Sequence, residues 1–435
     1  MKTKENYENN FYQQNLRNDN NNVNNNNFQN NNFYNISIIN LLINAQNSNS
    51  KNINENEINN NNYNNLFINN NNSILFNLND FQTLSLIISI LNNSSQIKIN
   101  SSIFTTFIKS KITSNPNFVN FIFYPFFRSN MLLIINNKLV NLIYQNIIEI
   151  LNDKNFFDFV NFLTSNFYEI SHSIIGTRII QKLIEYFIKI PENENKKIFF
   201  LYSNFLLMLK GKVFELSNNE NANHIIQKFI KNLKFPLNNF IYEEMYENFQ
   251  KIAINKFGCC VIQKSLNNAT KEQSEKIIYL IINNLYLLIN NEFGNYIIQK
   301  IILFNKDFIN YKIVEMFYNN LYYICNDKYS SNVIEKLLEI ENKDLIEKII
   351  RKLTENEKII MSLITNQYGN YIIQKILIVC YNEKFNEFFN FVINIIHMNL
   401  NEILSLAFGK KLISKIINKF PFINNKFHLK KFNFM

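Results

Sequence analysis

The chain has 435 residues, 47% of them hydrophobic, with 44 Lys and Arg against 34 Asp and Glu, a formal charge of +10 and a pI near 9.1. That composition supplies ample core material and suits a polyanionic partner without requiring one. Four cysteines at 259, 260, 325 and 380, with no Cys-x-x-Cys and no matching histidine spacing, argue against a disulfide framework and a zinc module.

The first ten residues are polar and lack the apolar centre of a secretory signal. The longest aromatic-aliphatic run, Phe118 to Phe127, is too short to span a bilayer. A reduced, soluble, intracellular protein is expected, in the cytoplasm and away from membranes. Residues 1–72 are dominated by asparagine runs such as Asn20 to Asn22 and Asn59 to Asn62. Such runs bury too little apolar surface to offset ordering entropy, so a disordered tail is expected. The heavy use of Asn, Ile, Lys, Phe and Tyr fits an A/T-rich coding bias, which would make the asparagines drift; a prion-like assembly segment is the competing reading.

Apolar periodicity begins near Ser73 with Ile74, Leu75 and Phe76, and one domain is expected over 73–435. Within it a heptapeptide returns: Gly176 to Lys182 (GTRIIQK), Ala222 to Lys228 (ANHIIQK), Gly258 to Lys264 (GCCVIQK), Gly294 to Lys300 (GNYIIQK), Ser330 to Lys336 (SSNVIEK) and Gly369 to Lys375 (GNYIIQK). Thr177, Asn223, Cys259, Asn295, Ser331 and Asn370 follow one another at intervals of roughly 36 residues, the first interval being clearly longer and the last slightly longer. A fixed period in this range marks a solenoid whose repeats bury their apolar faces only against one another. One period before Thr177 stands a worn copy, Asn141-Leu142-Ile143-Tyr144-Gln145-Asn146, and one period earlier a more worn copy begins at Thr105. Phe408 to Lys415 (FGKKLISK) reads as a terminal cap, placed at about 400–435.

Five of the six glycines (Gly176, Gly258, Gly294, Gly369, Gly409) precede a triplet, where a helix start and a backbone turn are expected. All five prolines fall outside the triplet helices. The long first interval holds the polar stretch Pro191 to Lys197, expected as an inserted loop, and the last interval, before Asn370, is expected to hold a smaller one.

At about 100° per residue, Asn295, Tyr296 and Gln299 fall at about 0°, 100° and 40°, whereas Ile297, Ile298, Ile301 and Ile302 fall at about 200°, 300°, 240° and 340°. The isoleucines are expected to pack between repeats and the other three side chains to be displayed together on one exposed surface. That displayed set varies with the repeat, as a recognition surface would.

These repeats resemble those of the Pumilio family of RNA-binding proteins, and the resemblance runs from about Ser73 to about Phe420. It implies an all-α, right-handed α-solenoid crescent of eight three-helix repeats with terminal caps, the triplet helices lining its concave face. It implies a monomer that reads single-stranded RNA at one base per repeat, with the RNA 5′ end at the C-terminal repeats. Asn370 and Gln374 resemble a uracil-reading pair, with Tyr371 stacking; Ser331 and Glu335 resemble a guanine reader, with Asn332 between them. Asn295, Tyr296 and Gln299 again imply uracil, Cys259 and Gln263 adenine, and Asn223, His224 and Gln227 uracil or a tolerated base. Thr177, Arg178 and Gln181 imply adenine, and Asn141 and Gln145 uracil. The implied element is 5′-UGUA, then U or any base, then A, then U. Cys260 and Leu142 depart from the planar residues usual at the stacking position, and Thr105, Thr106 and Lys109 no longer resemble a reader.

A row of lysines, Lys182, Lys228, Lys264, Lys300, Lys336 and Lys375, falls at about 140° on the same wheel. Phosphate attraction is expected there, and a solvated flank is the alternative. An enzyme is not expected, nor any cofactor: His172, His224, His397 and His428 have no metal spacing, and Cys259 has no identifiable base. The alternatives are a HEAT or armadillo scaffold that binds protein, and a nucleolar relative that binds ribosomal RNA with little sequence preference. Resemblance further implies action on messenger RNA 3′ untranslated regions, lowering translation or stability through deadenylase or repressor proteins on the convex surface.

Overall fold

The computed structural model describes residues 138–190, 196–304 and 307–423 continuously, with 80, 83–84, 106, 109–111, 114–128 and 131 before them. The expected tail, Thr105 and residues 191–195 of the expected loop lie outside the described residues. The chain separates into two units, Met1–Lys111 and Ile112–Met435. The second unit carries the repeats and is all-α among its described residues, a solenoid of stacked helices.

A reading helix, Lys138–Ile147, is followed by seven sets, each made of a leading helix, a short middle helix and a reading helix. The reading helices are Gly176–Lys189, Asn223–Asn232, Gly258–Asn268, Gly294–Ile302, Ser330–Leu337, Gly369–Glu383 and Gly409–Lys419. Each packs beside the next, so the triplets lie along one continuous row. The isoleucine face forms as the periodicity requires: Ile297, Ile298, Ile301 and Ile302 are at most 1% exposed. Each such side chain contributes about 1.5–3 kcal/mol of burial, drawn mainly from contacts with neighbouring repeats.

Two joints recur along the row, and asparagine makes most of both. Between leading and middle helices stands Asn166, Asn248, Asn284 or Asn399, at φ of −105° to −113°. Its Nδ2 donates back to the carbonyl four residues earlier at 2.8–3.0 Å, holding the bend. Before the reading helices an Asn, Asp or Ser accepts from the backbone N–H groups two and three residues on. Asn291 Oδ1 takes Phe293 N at 2.9 Å and Gly294 N at 2.8 Å. Asn366, Asn255, Asn219, Asp327 and Ser173 do the same at their own sites. These asparagines are therefore structural, not drift.

The turn thus belongs to the asparagine, and the glycine is needed for close approach instead. A Cβ on Gly294 would stand 2.9 Å from the Leu288 carbonyl oxygen, and one on Gly369 2.7 Å from that of Leu363. Where serine replaces glycine, Ser330 Oγ donates to the equivalent carbonyl, Ile324 O, at 2.9 Å and turns the crowding into a hydrogen bond. The two loop expectations also change. Lys196 and Lys197 open the helix Lys196–Leu209, and the extra residues before Asn370 divide between a small turn at 354–356, where most other joints have a single asparagine, and a middle helix of nine residues, Glu357–Thr365. Asn356 caps that longer helix by accepting from Ile359 N.

Candidate nucleic-acid interface

The three triplet positions differ in exposure, in the same way at the six repeats from Thr177 to Asn370, whereas Leu142, the middle residue of the Asn141 repeat, is half-buried. The middle residues Arg178, His224, Cys260, Tyr296, Asn332 and Tyr371 are exposed, the two tyrosines by 52% and 50%. The fifth residues Gln145, Gln181, Gln227, Gln263, Gln299, Glu335 and Gln374 are half-buried. The first residues Asn141, Thr177, Asn223, Cys259, Asn295, Ser331 and Asn370 are only 1–7% exposed, which corrects the expectation of a jointly displayed set. The cause is geometric: on the helical wheel the first residue adjoins the edge of the apolar face, and the turn before the helix closes over Asn223, Asn295 and Asn370.

In four repeats the first and fifth residues form one device. Gln145 Nε2 donates to Asn141 Oδ1 at 2.7 Å, Gln227 to Asn223 and Gln299 to Asn295 at 2.8 Å, and Gln374 to Asn370 at 3.1 Å. The asparagine amide is fixed from behind. Asn223, Asn295 and Asn370 each donate through Nδ2 to two carbonyls of the preceding turn, at 2.8–3.1 Å. Asn141 Nδ2 instead reaches Ile175 O of the next repeat at 2.8 Å. With both donors of Asn223 and Asn295 spent, the asparagine oxygen must face the glutamine, which keeps one N–H and its carbonyl oxygen for a ligand; Gln374 Nε2 also reaches Asn370 O at 3.2 Å. The pair therefore presents one donor and one acceptor at a set orientation.

The other repeats present different atoms. Glu335 bonds no other described side chain, so its oxygens remain free to accept beside the buried Ser331 hydroxyl. Gln263 lies within reach of the Cys259 sulfur, and Thr177 with Gln181 makes a hydroxyl and amide set. Asn332 folds its amide back to Lys328 O at 3.3 Å, leaving a planar group at its stacking position. Cys260 offers only sulfur there, 4.0 Å from Cys259 Sγ. The hydrogen bond from Cys259 lowers the Cys260 thiol to about 6, while the same contact and burial hold Cys259 well above its ordinary value.

The lysine row is not uniform. Lys182 pairs with Glu149 at 3.5 Å, Lys228 with Glu185, and Lys375 with Glu339 at 2.6 Å, each joining one reading helix to the preceding repeat. Lys336 pairs with Glu339 at 2.7 Å on its own side. The sequence holds the reason: the tying acid sits three residues beyond the previous repeat's lysine position. Before Lys264 that position is Lys231, and before Lys300 it is Asn267. Lys264 and Lys300 therefore have no carboxylate in ion-pairing range among the described residues.

An all-α solenoid that sets one variable, hydrogen-bonding triplet on each successive helix defines a modular reading protein. The sequence matches the Pumilio-family RNA binding repeat at residues 166–188, 212–245, 248–282, 284–314, 320–354 and 360–390. The stretch from 166 to 390 therefore belongs to the Pumilio family of RNA-binding repeats, which is not an enzyme family. The putative pumilio homolog 7 of Arabidopsis thaliana is 32% identical over 109 residues, which are 25% of this chain and 15% of that relative. The chain thus matches well under two thirds of that relative's length. Among solved structures, the Puf4 RNA binding domain bound to an HO endonuclease RNA 3′ UTR recognition sequence is 25% identical, with a TM-score of 0.61 over 71% of this chain and 94% of that one. The yeast Puf5p RNA-binding domain bound to SMX2 RNA is also 25% identical, with a TM-score of 0.54 over 73% of this chain and 96% of that one.

Proposed function

We propose that the row of reading helices from Lys138–Ile147 to Gly369–Glu383 reads single-stranded RNA at one base per helix, with the RNA 5′ end at the C-terminal helices and UGUA at the start of the element. The observation that carries this is the recurrence of one Asn–Gln geometry in four repeats and its replacement by Ser331 and Glu335 in a fifth. A uracil edge offers an imino donor beside carbonyl acceptors, which matches the glutamine oxygen and its remaining N–H. Guanine offers imino and amino donors side by side, which matches the two accepting oxygens of Glu335. The exposed Tyr371, Tyr296, His224 and Arg178 supply planes for the bases, worth about 1–3 kcal/mol each.

On this reading the adenines fall to Cys259 with Gln263 and to Thr177 with Gln181, the first with weak stacking at Cys260. Lys264 and Lys300 are the row lysines with charge to spare for phosphates. The likeness to domains bound to 3′ UTR sequences supports a place on messenger RNA 3′ untranslated regions. There, in the cytoplasm, the protein lowers translation or message stability by recruiting repressor or deadenylase proteins to its outer helices. The test is binding of the full chain to UGUAUAUA against ACAAUAUA at physiological salt, where three mismatches are expected to cost about a hundredfold or more. Equal affinity would leave nonspecific RNA binding, and no binding to either would favour a protein scaffold.

A further inference from the structure

The row of reading helices does not end at the last base reader. Gly409–Lys419 packs beside Gly369–Glu383 in the same succession, yet its reading positions carry different chemistry. Lys410 stands at the first position, Lys411 at the middle and Lys415 at the sixth. The first position is buried in the seven helices before it, whereas Lys410 is exposed, as are Lys411 and Lys415. The helix contains no acid, and the position from which a carboxylate would tie Lys415 is Ile378. Instead, Lys415 Nζ lies over the ring of Tyr371 at 5.3 Å from its centroid. None of the three lysines has a carboxylate in ion-pairing range among the described residues.

We infer that Lys410, Lys411 and Lys415 form a phosphate-binding subsite for the nucleotides immediately 5′ of the element read by the other helices. This rests on the reading proposed above, and on its strand direction. RNA that leaves the Asn370 reader toward its 5′ end crosses the next helix in the row, and there it meets three ammonium groups that no described carboxylate neutralises and no base-reading amide. Such a surface binds backbone without reading sequence. Lys415, already held against Tyr371, places a positive charge at the edge of the first stacked base, where the upstream phosphate enters.

The experiment compares two RNAs on the full chain. One begins at the first U of UGUAUAUA with a 5′-hydroxyl; the other carries two further nucleotides, and hence two further phosphates, on that side. The extended RNA is expected to bind about tenfold more tightly at physiological salt, with a salt slope steeper by about 1.4, whichever bases the extension carries. The double variant K410A/K411A, which leaves Lys415 against Tyr371, is expected to lose most of that advantage and leave the affinity for the short RNA unchanged, which also shows the domain to be folded. An advantage that survives in the variant, depends on the added bases or never appears in the natural protein would overturn the subsite. A natural protein that failed to prefer UGU over ACA would overturn the reading itself, and the subsite with it.

Discussion

The Asn295 amide is committed before any ligand arrives, with its donors on Asn291 O and Glu292 O and its oxygen on Gln299. A reader pre-set in this way loses little further freedom on binding. The identity of such pairs is legible in the sequence, because Asn and Gln four residues apart share a helix face. Their division of labour is not, since a helical wheel contains no preceding turn and so cannot show that Asn295 is covered while Gln299 is reachable. The structural asparagines are hidden for a related reason: in a chain so rich in this residue, Asn291 looks like its neighbours until the N–H groups of Phe293 and Gly294 are found on it. Asn291→Ala is expected to cost about 1–2 kcal/mol in denaturant unfolding, because two backbone donors lose their partner. Cys260→Tyr is expected to raise affinity for an RNA with adenine at the fourth position by about tenfold, the worth of a restored stacking plane; isothermal titration against the natural protein measures it.

At the scale of the helix, glycine positions and isoleucine periodicity locate the reading helices in the sequence, since both are local properties. What the glycines do depends on a second helix. Gly294→Ala is expected to lower the melting temperature, because its Cβ meets the Leu288 carbonyl at 2.9 Å and neither backbone yields freely. The ties between helices make a separate prediction. The hydrogen bond from Lys228 to Glu185 holds this carboxyl below the ordinary glutamate range, against a smaller opposing effect of burial. A depressed carboxylate stabilises the fold fully above its unfolded value, and the contribution is lost as the pH falls through the folded one. Thermal melts of Glu185→Gln and the natural protein are therefore expected to differ most near neutral pH and to converge on acidification to about pH 3. With both partners partly exposed the difference is small, and added salt is expected to reduce it.

For the whole molecule, the recurring heptapeptide is the most informative feature, because a solenoid repeats its contacts as well as its sequence. The three lysines of Gly409–Lys419 come at a longer interval than the period, so it is the continuous row of packed helices that sets them in line with the readers. The extra residues before Asn370 are less legible, because length alone does not divide them between loop and helix; they make both, a turn at 354–356 and a longer helix that the capping oxygen of Asn356 opens and the run Ile359, Ile360, Leu363 and Ile364 packs. Stability divided among neighbouring repeats implies that a defect in one reader leaves the others intact, so base preference is expected to change one position at a time.

That modularity is tested most directly at Ser331 and Glu335. The double variant S331N/E335Q copies the Asn–Gln device of Asn295 and Gln299 into the repeat that departs from it. Affinities of the natural and variant full chains for UGUAUAUA and UUUAUAUA are then compared. The natural protein is expected to prefer the guanine RNA by about 1–3 kcal/mol and the variant to prefer the uracil RNA, with the other positions read as before. A variant that kept the guanine preference, or lost all discrimination along the element, would contradict reading by one residue pair per helix.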